Sequence, residues 1–255
     1  MTEVEKTLAG KFAGLDDTLR RPAPVPVAAD RVRLRPLFTV LAGQVGPRPD
    51  DPALVTAATV VELIHLATLC HGRIRDEGPV SRPSPGMSVR RGHDIDILTG
   101  DYLSAHASVL VSTLGPDAAR IVAETFATVV TGQMRAKFVT QQVDSVANYL
   151  HVAREKTATL ISACCRFGGM FSGASGDYVE QLARFGAVVG TVVHISDDLA
   201  GAVPAFAGPA GIEESVRQQL HQHADLADTE LSALPDGAGV EGLRRLVRHL
   251  VERAV

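Results

Sequence analysis

The sequence predicts an all-α fold in which one helical domain forms a bundle. Three observations carry this. No segment alternates apolar and polar residues with a period of two, so no strand pattern is visible. Residues 51–71 form an Ala/Val/Leu-rich run that is apolar on most sides, as a helix buried on most of its faces must be. The 23 Gly and 14 Pro fall mostly between such segments, where they end helices rather than interrupt them.

The elements follow in order. Residues 2–20 can form a modest amphipathic helix, and RRPAPVPVAAD (20–30) is a proline-rich arm. Residues 1–30 are therefore set apart from a helical domain over 31–255. A helix over 31–45 carries Val32, Leu34, Leu37, Val40 and Leu41 and stops at GPRPDDP. After the 51–71 helix, EGPVSRPSPGM (77–87) reads as a loop. Helices are predicted over 93–114, 116–138, 144–167 and 177–200, and two amphipathic ones over 211–233 and 238–254. His93-Asp94-Ile95-Asp96 looks metal-like, but Asp and His at that place would more simply cap the start of the 93–114 helix.

Composition excludes several classes. A net charge of −4 gives no basic footprint for nucleic acid. Cys70, Cys164 and Cys165 are too few and too poorly spaced for a disulfide framework or zinc site, and read as buried thiols. The first residues lack the apolar core of a signal peptide, and no run of about 18 uninterrupted apolar residues suggests a transmembrane span. A cytoplasmic protein is expected.

The segment 60–107 carries the chemistry. It reads VVELIHLATLCHGRIRDEGPVSRPSPGMSVRRGHDIDILTGDYLSAHA, with ELIH at Glu62–His65 and GDYL at Gly100–Leu103. RVRLRP (31–36), Gly132-Gln133, Lys156-Thr157 and HISDDLAG (194–201) add four further blocks. In this order, over residues 28–201, they resemble the trans-isoprenyl diphosphate synthase (polyprenyl synthetase) family. The resemblance implies a single-domain orthogonal bundle of the isoprenoid synthase type around a central apolar cavity. It also implies a reaction that ionises an allylic diphosphate and joins the cation to isopentenyl diphosphate. Two motifs of the form DD-x-x-D would aim carboxylates into one cavity, because residues i and i+4 share a helix face. Mg²⁺ held there would neutralise the leaving diphosphate.

The chain departs from that pattern. The first motif reads Gly72-Arg73-Ile74-Arg75-Asp76, so only Asp76 of its carboxylates is kept. An arginine cannot ligate Mg²⁺, although Arg73 can contact a phosphate directly. The second motif keeps Asp197 and Asp198 and has Gly201 at its third position. Asp76, Asp197 and Asp198 are therefore the candidate ligands of a weakened Mg²⁺ site. The resemblance assigns Arg33, His65, Arg82 and Lys156 to diphosphate binding, whereas the lysine of the entry motif is Val32 and one arginine of a pair is Ser81. The Gly-Lys and Thr-Leu-Pro segment of the family is not visible in residues 202–255, so the domain reads as C-terminally shortened. Ala67 stands where a bulky residue would block a chain-elongation tunnel; it is either an opening or ordinary helix packing.

Each candidate has a plainer reading. His65 on an apolar helix is commonly a satisfied core residue. Arg33 and Arg35 can be surface charges at a helix start. Asp197 and Asp198 near a helix C-terminus oppose the helix dipole unless something cationic meets them. Three functions follow. The first is a non-catalytic or regulatory subunit that pairs with an intact prenyl diphosphate synthase; the expected assembly is a homodimer or a heterodimer with such a synthase. The second is a prenyltransferase or terpene cyclase with an altered metal site. The third is a protein that binds prenyl diphosphate, isopentenyl diphosphate or another lipid.

Overall fold

A computed structural model describes residues 2–13, 33–76, 87–138, 146–201 and 212–254. Helix α1 spans Thr2–Ala13, α2 Leu34–Gly43, α3 Pro52–Asp76, α4 Met87–Ser112 and α5 Pro116–Phe138. Next come α6 (Val146–Ala153), a π-helical turn (Arg154–Ala158), α7 (Thr159–Ser172), α8 (Gly176–Leu199), α9 (Ile212–Leu231) and α10 (Ala238–Glu252). Among the described residues there is no strand, as the absent period-2 pattern predicts.

Helix α3 runs through the middle of the bundle. It packs on α4, α2 and α7, and also touches α1 and α5. Its apolar run is buried nearly all round, from Ala57 to Ala67. Within it, Pro52–Gly72 has the length and composition to cross a membrane; 72% of its most apolar window is covered by the bundle, so it is the core helix of this fold. Ala67 has no accessible surface and belongs to the core, which is the packing reading of that position. The second layer is α7 against α8, with α9 and α10 closing over α8. Phe38 of α2 meets Phe185 of α8 with ring centroids 6.4 Å apart, and Phe167, Ile161 and Ile195 are buried in the same core. Burying each such side chain contributes roughly 1.5–3 kcal/mol. Val4 and Leu8 of α1 are fully buried in the same core. Residues 14–32, including the proline-rich arm, lie outside the described residues.

Several boundaries differ from the sequence reading. Helix α4 begins at Met87, directly after the Pro/Gly-rich stretch, and not near 93. Asp94 and Asp96 therefore lie inside the helix and do not cap its start. Helix α7 runs on through Gly168-Gly169 to Ser172. Those glycines are packing positions: a Cβ on Gly168 would sit 2.6 Å from the carbonyl oxygen of Thr39 on α2. The helix stops at Gly173, whose φ of 74° is the left-handed conformation a helix end requires.

Candidate functional site

The family motifs lie on α2, α3, the π-helical turn and α8. Gly100 of GDYL lets α4 cross α3, since a Cβ would fall 2.2 Å from the His71 ring. Gly190 lets α8 approach the π-helical turn, where a Cβ would lie 2.4 Å from the Ala158 Cα. The π turn carries Lys156 and Thr157, in keeping with the use of such turns at functional positions. Arg135 of α5 holds this turn by two bonds to Glu155, at 2.8 and 3.2 Å. Gln133 of the same helix donates to the Thr68 carbonyl of α3 at 3.2 Å.

At the entry to α2, Arg33 is buried rather than a surface charge. Its Nη1 donates to Glu62 at 2.7 Å and its Nε to Glu5 of α1 at 2.8 Å. Arg33 Nη2, Arg35 Nε and Glu62 Oε2 are buried without a hydrogen-bond partner among the described residues. His65, one helical turn from Glu62, retains some accessible surface, yet its ring is enclosed by protein. Burial, then the charges of Arg35 and Arg33, hold its pKa well below the ordinary histidine value. A neutral imidazole thus lies beside two guanidiniums with unused donors. Behind them, burial pushes the Cys164 thiol up to about 12, so this cysteine is an inert core residue, as the sequence suggests.

The second motif lies on the last turn of α8. Asp198 accepts a hydrogen bond from the Tyr149 hydroxyl of α6 at 2.8 Å. Burial pushes the Asp198 carboxyl above its usual range, against the opposing pull of Tyr149 and Lys156. Burial and the Asp198 charge also raise the Tyr149 pKa, which keeps its proton available to donate. His194 stands where the family has glutamine, with Nδ1 2.8 Å from the Thr157 hydroxyl and Nε2 3.5 Å from Asp198. Burial, then the Lys156 charge, push its pKa down to about 4, so the ring is neutral. Asp197 is ion-paired with Arg253, the residue that caps α10. Among the described residues, no group of three or more His, Cys, Asp or Glu side chains lies together in a way that could hold a metal.

The structure therefore brings Arg33 and His65 together, and Lys156 near Asp197 and Asp198. Arg73 and Asp76 have their backbone on the last turn of α3, and their side chains lie outside the described residues, as does Arg82 altogether. Sequence reasoning missed Tyr149, Glu5 and Arg253 as parts of this region. His194 was inside a quoted motif, and its replacement of the family glutamine was the available signal.

Comparison with known proteins agrees with this geometry. The protein is 53% identical over 168 residues to the nonaprenyl diphosphate synthase of Mycobacterium tuberculosis, covering 66% of this chain and 50% of that protein. It is 38% identical over 200 residues to a dimethylallyltranstransferase of the same organism, covering 78% and 62%. The chain thus spans about half to three fifths of the length of these relatives. Its structure superposes with a TM-score of 0.85 and 30% identity on geranylgeranyl pyrophosphate synthase from Corynebacterium glutamicum, solved with calcium and isoprenyl diphosphate, over 100% of this chain and 95% of that one. The polyprenyl synthetase family model matches residues 17–205, and on this ground the chain belongs to the polyprenyl synthetase family.

Proposed function

We propose that the chain is a cytoplasmic polyprenyl synthetase family subunit of isoprenoid biosynthesis. It binds a prenyl or isopentenyl diphosphate, does not elongate chains alone, and pairs with an intact synthase. The observation that carries this reading is the state of its carboxylates. Asp197 is engaged by Arg253 and Asp198 by Tyr149, while the first-motif positions are Gly72 and Arg73. Such a set does not fit a resident Mg²⁺, because a ligand carboxylate must offer its oxygens to the ion. We therefore derive no step through a metal. At most, Asp76, Asp197 and Asp198 form a weakened site.

The chain's own residues support diphosphate binding. Arg33 Nη2 and Arg35 Nε are buried donors without partners among the described residues, next to a neutral His65. Buried unsatisfied donors call for an acceptor, and an anion with several oxygens supplies it. Lys156 adds positive charge beside His194 and Asp198. Arg82 and Arg73 belong to the same proposal by their place in the motifs.

Pairing is supported by α4 and α5. Leu98 (67% exposed) and Val109 (62%) lie eleven residues apart on one stripe of α4, and Met134 (55%) is exposed on α5. Exposed apolar residues gathered on neighbouring helices suit a subunit interface. One relative, 33% identical over 186 residues, is named component 2 of the heptaprenyl diphosphate synthase of Geobacillus stearothermophilus.

The test is a prenyltransfer assay with isopentenyl diphosphate, several allylic diphosphates and Mg²⁺, with and without an intact homologue from the same source. We expect no product from the chain alone, and a changed rate or product length when the homologue is added. Product from the chain alone would replace this reading with a prenyltransferase or cyclase using an altered site. No effect in either arm, with a prenyl lipid retained by the purified chain, would leave the binding role.

A further inference from the structure

Helix α1 packs on α3 and is anchored in the core by Val4 and Leu8, which are one turn apart and fully buried. Glu5 shares that side of the helix and reaches Arg33, whose Nε donates to its carboxylate at 2.8 Å. The two partners differ in exposure. The Arg33 side chain is 6% exposed and that of Glu5 is 42% exposed. The carboxylate can therefore turn into water, whereas the guanidinium is also fixed by Glu62 at 2.7 Å.

An arginine presents its Nε and Nη2 hydrogens side by side, as a fork that two oxygens of one phosphate fill together. In Arg33 that fork is half used. Glu5 takes Nε, and Nη2 is buried without a partner among the described residues. Arg35 Nε is left in the same state. We propose that Glu5 is a built-in stand-in for a substrate phosphate: it holds the Arg33 fork while α1 is docked, and a bound diphosphate displaces it and loosens α1. The proposal rests on the diphosphate-binding reading of Arg33, Arg35 and His65, and adds the element that regulates access to them. One charge-assisted bond is given up and two form, so Nη2 gains the acceptor it lacks. A displaced Glu5 carboxylate is then driven outward by its like charge. Opposing this is the weakened hold on α1, a helix of 12 residues that is marginal in water without its packed face. The coupling is reciprocal: the factor by which diphosphate loosens α1 is the factor by which loosening α1 tightens diphosphate.

The experiment is a calorimetric titration of the full chain with inorganic pyrophosphate and with isopentenyl diphosphate in metal-free buffer, together with hydrogen exchange of the α1 amides. Glu5→Gln is expected to tighten both ligands roughly three- to tenfold. Leu8→Ser removes an anchor of α1 without touching Arg33; it should also tighten them, and should speed α1 exchange before ligand is added. Glu3→Gln removes the same charge from the solvent side of α1, where Glu3 pairs with Lys6, and should leave affinity within about twofold of wild type. In the wild type, saturating ligand should speed exchange of the α1 amides by a factor similar to the Glu5→Gln gain. Circular dichroism verifies that each variant is folded. If Glu5→Gln binds no more tightly than wild type, or if α1 exchange ignores the ligand, the competition is refuted and the diphosphate reading stands. If Glu3→Gln tightens binding as much as Glu5→Gln, net charge and not the Arg33 fork is responsible, and the proposal is again refuted. If wild type, Glu5→Gln and Leu8→Ser all fail to bind either ligand at millimolar concentration, the diphosphate reading itself falls and the proposal falls with it.

Discussion

Arg33 and Arg253 make the same kind of bond at two corners of one bundle, and the two corners behave differently. Each arginine grips a carboxylate far away in sequence, Glu62 in one case and Asp197 in the other. Arg33 and Glu62 are 6% and 5% exposed, but Arg253 and Asp197 are about a third exposed. Burial turns the first pair into a fixed part of the core, since a charge left there without its partner has nowhere to be solvated. Water and salt share the load at the second pair, so it contributes far less. The sequence marks Arg33 as a motif residue and Arg253 only as a charge; their surroundings decide which pair is structural.

The comparison can be broken most directly at Glu62. Glu62→Ala leaves Arg33 buried with only Glu5 for company and should cost about 3–5 kcal/mol in urea denaturation. A loss below about 1 kcal/mol would put the two corners on the same footing. Tyr149→Phe comes next. It strips the donor from the largely buried Asp198 and should cost about 1.5–3 kcal/mol by the same measurement. It should also leave Asp197 and Arg253 paired.

Acid sharpens the contrast further. His65 and His194 both have pKa values depressed in the folded state, so the unfolded chain binds more protons below about pH 6.5. Their contribution is intact above that pH and is lost as pH falls toward 4. His194 alone should withdraw roughly 2 kcal/mol by pH 5. Asp198, with its raised carboxyl, works in the opposite direction and softens the fall. The thermal midpoint should drop between pH 7 and pH 5, and His65→Gln should make the drop shallower; an unchanged slope would mean that the ring beside Arg33 and Arg35 is hydrated. The smallest effect belongs to Arg253→Gln, about 0.2–1 kcal/mol. High salt should erase that difference but not the Glu62 one.

How much of this was legible follows from where each signal resides. The helices could be read because apolar spacing and Pro/Gly breaks are local, and α5 and α8 fall within a residue of their expected bounds. The start of α4 could not, because loop composition in 77–87 hides a helix that begins on its last residue. His65, Lys156, Asp197 and Asp198 were visible as motif positions. The partners were not: Glu5 is 28 residues from Arg33, and Arg253 is 56 from Asp197, with no periodic pattern to link them. Arg33 was visible as a motif position too, but whether it was buried or a surface charge was not, since only the fold brings α1 and α3 around it.

The π-helical turn at Arg154–Ala158 has a consequence for how the chain can change length. A wide turn of this kind absorbs one spare residue while the helix on either side keeps its facing. Elsewhere in the bundle, a single-residue deletion in a helix rotates everything beyond it by about 100°. Here it would convert the turn to regular helix and leave α6 and α7 against their neighbours. What would be redrawn is the identity of the side chains that crown the site, with Lys156 and Thr157 no longer presented as a pair. The molecule thus has a place where an indel is cheap for architecture and decisive for chemistry.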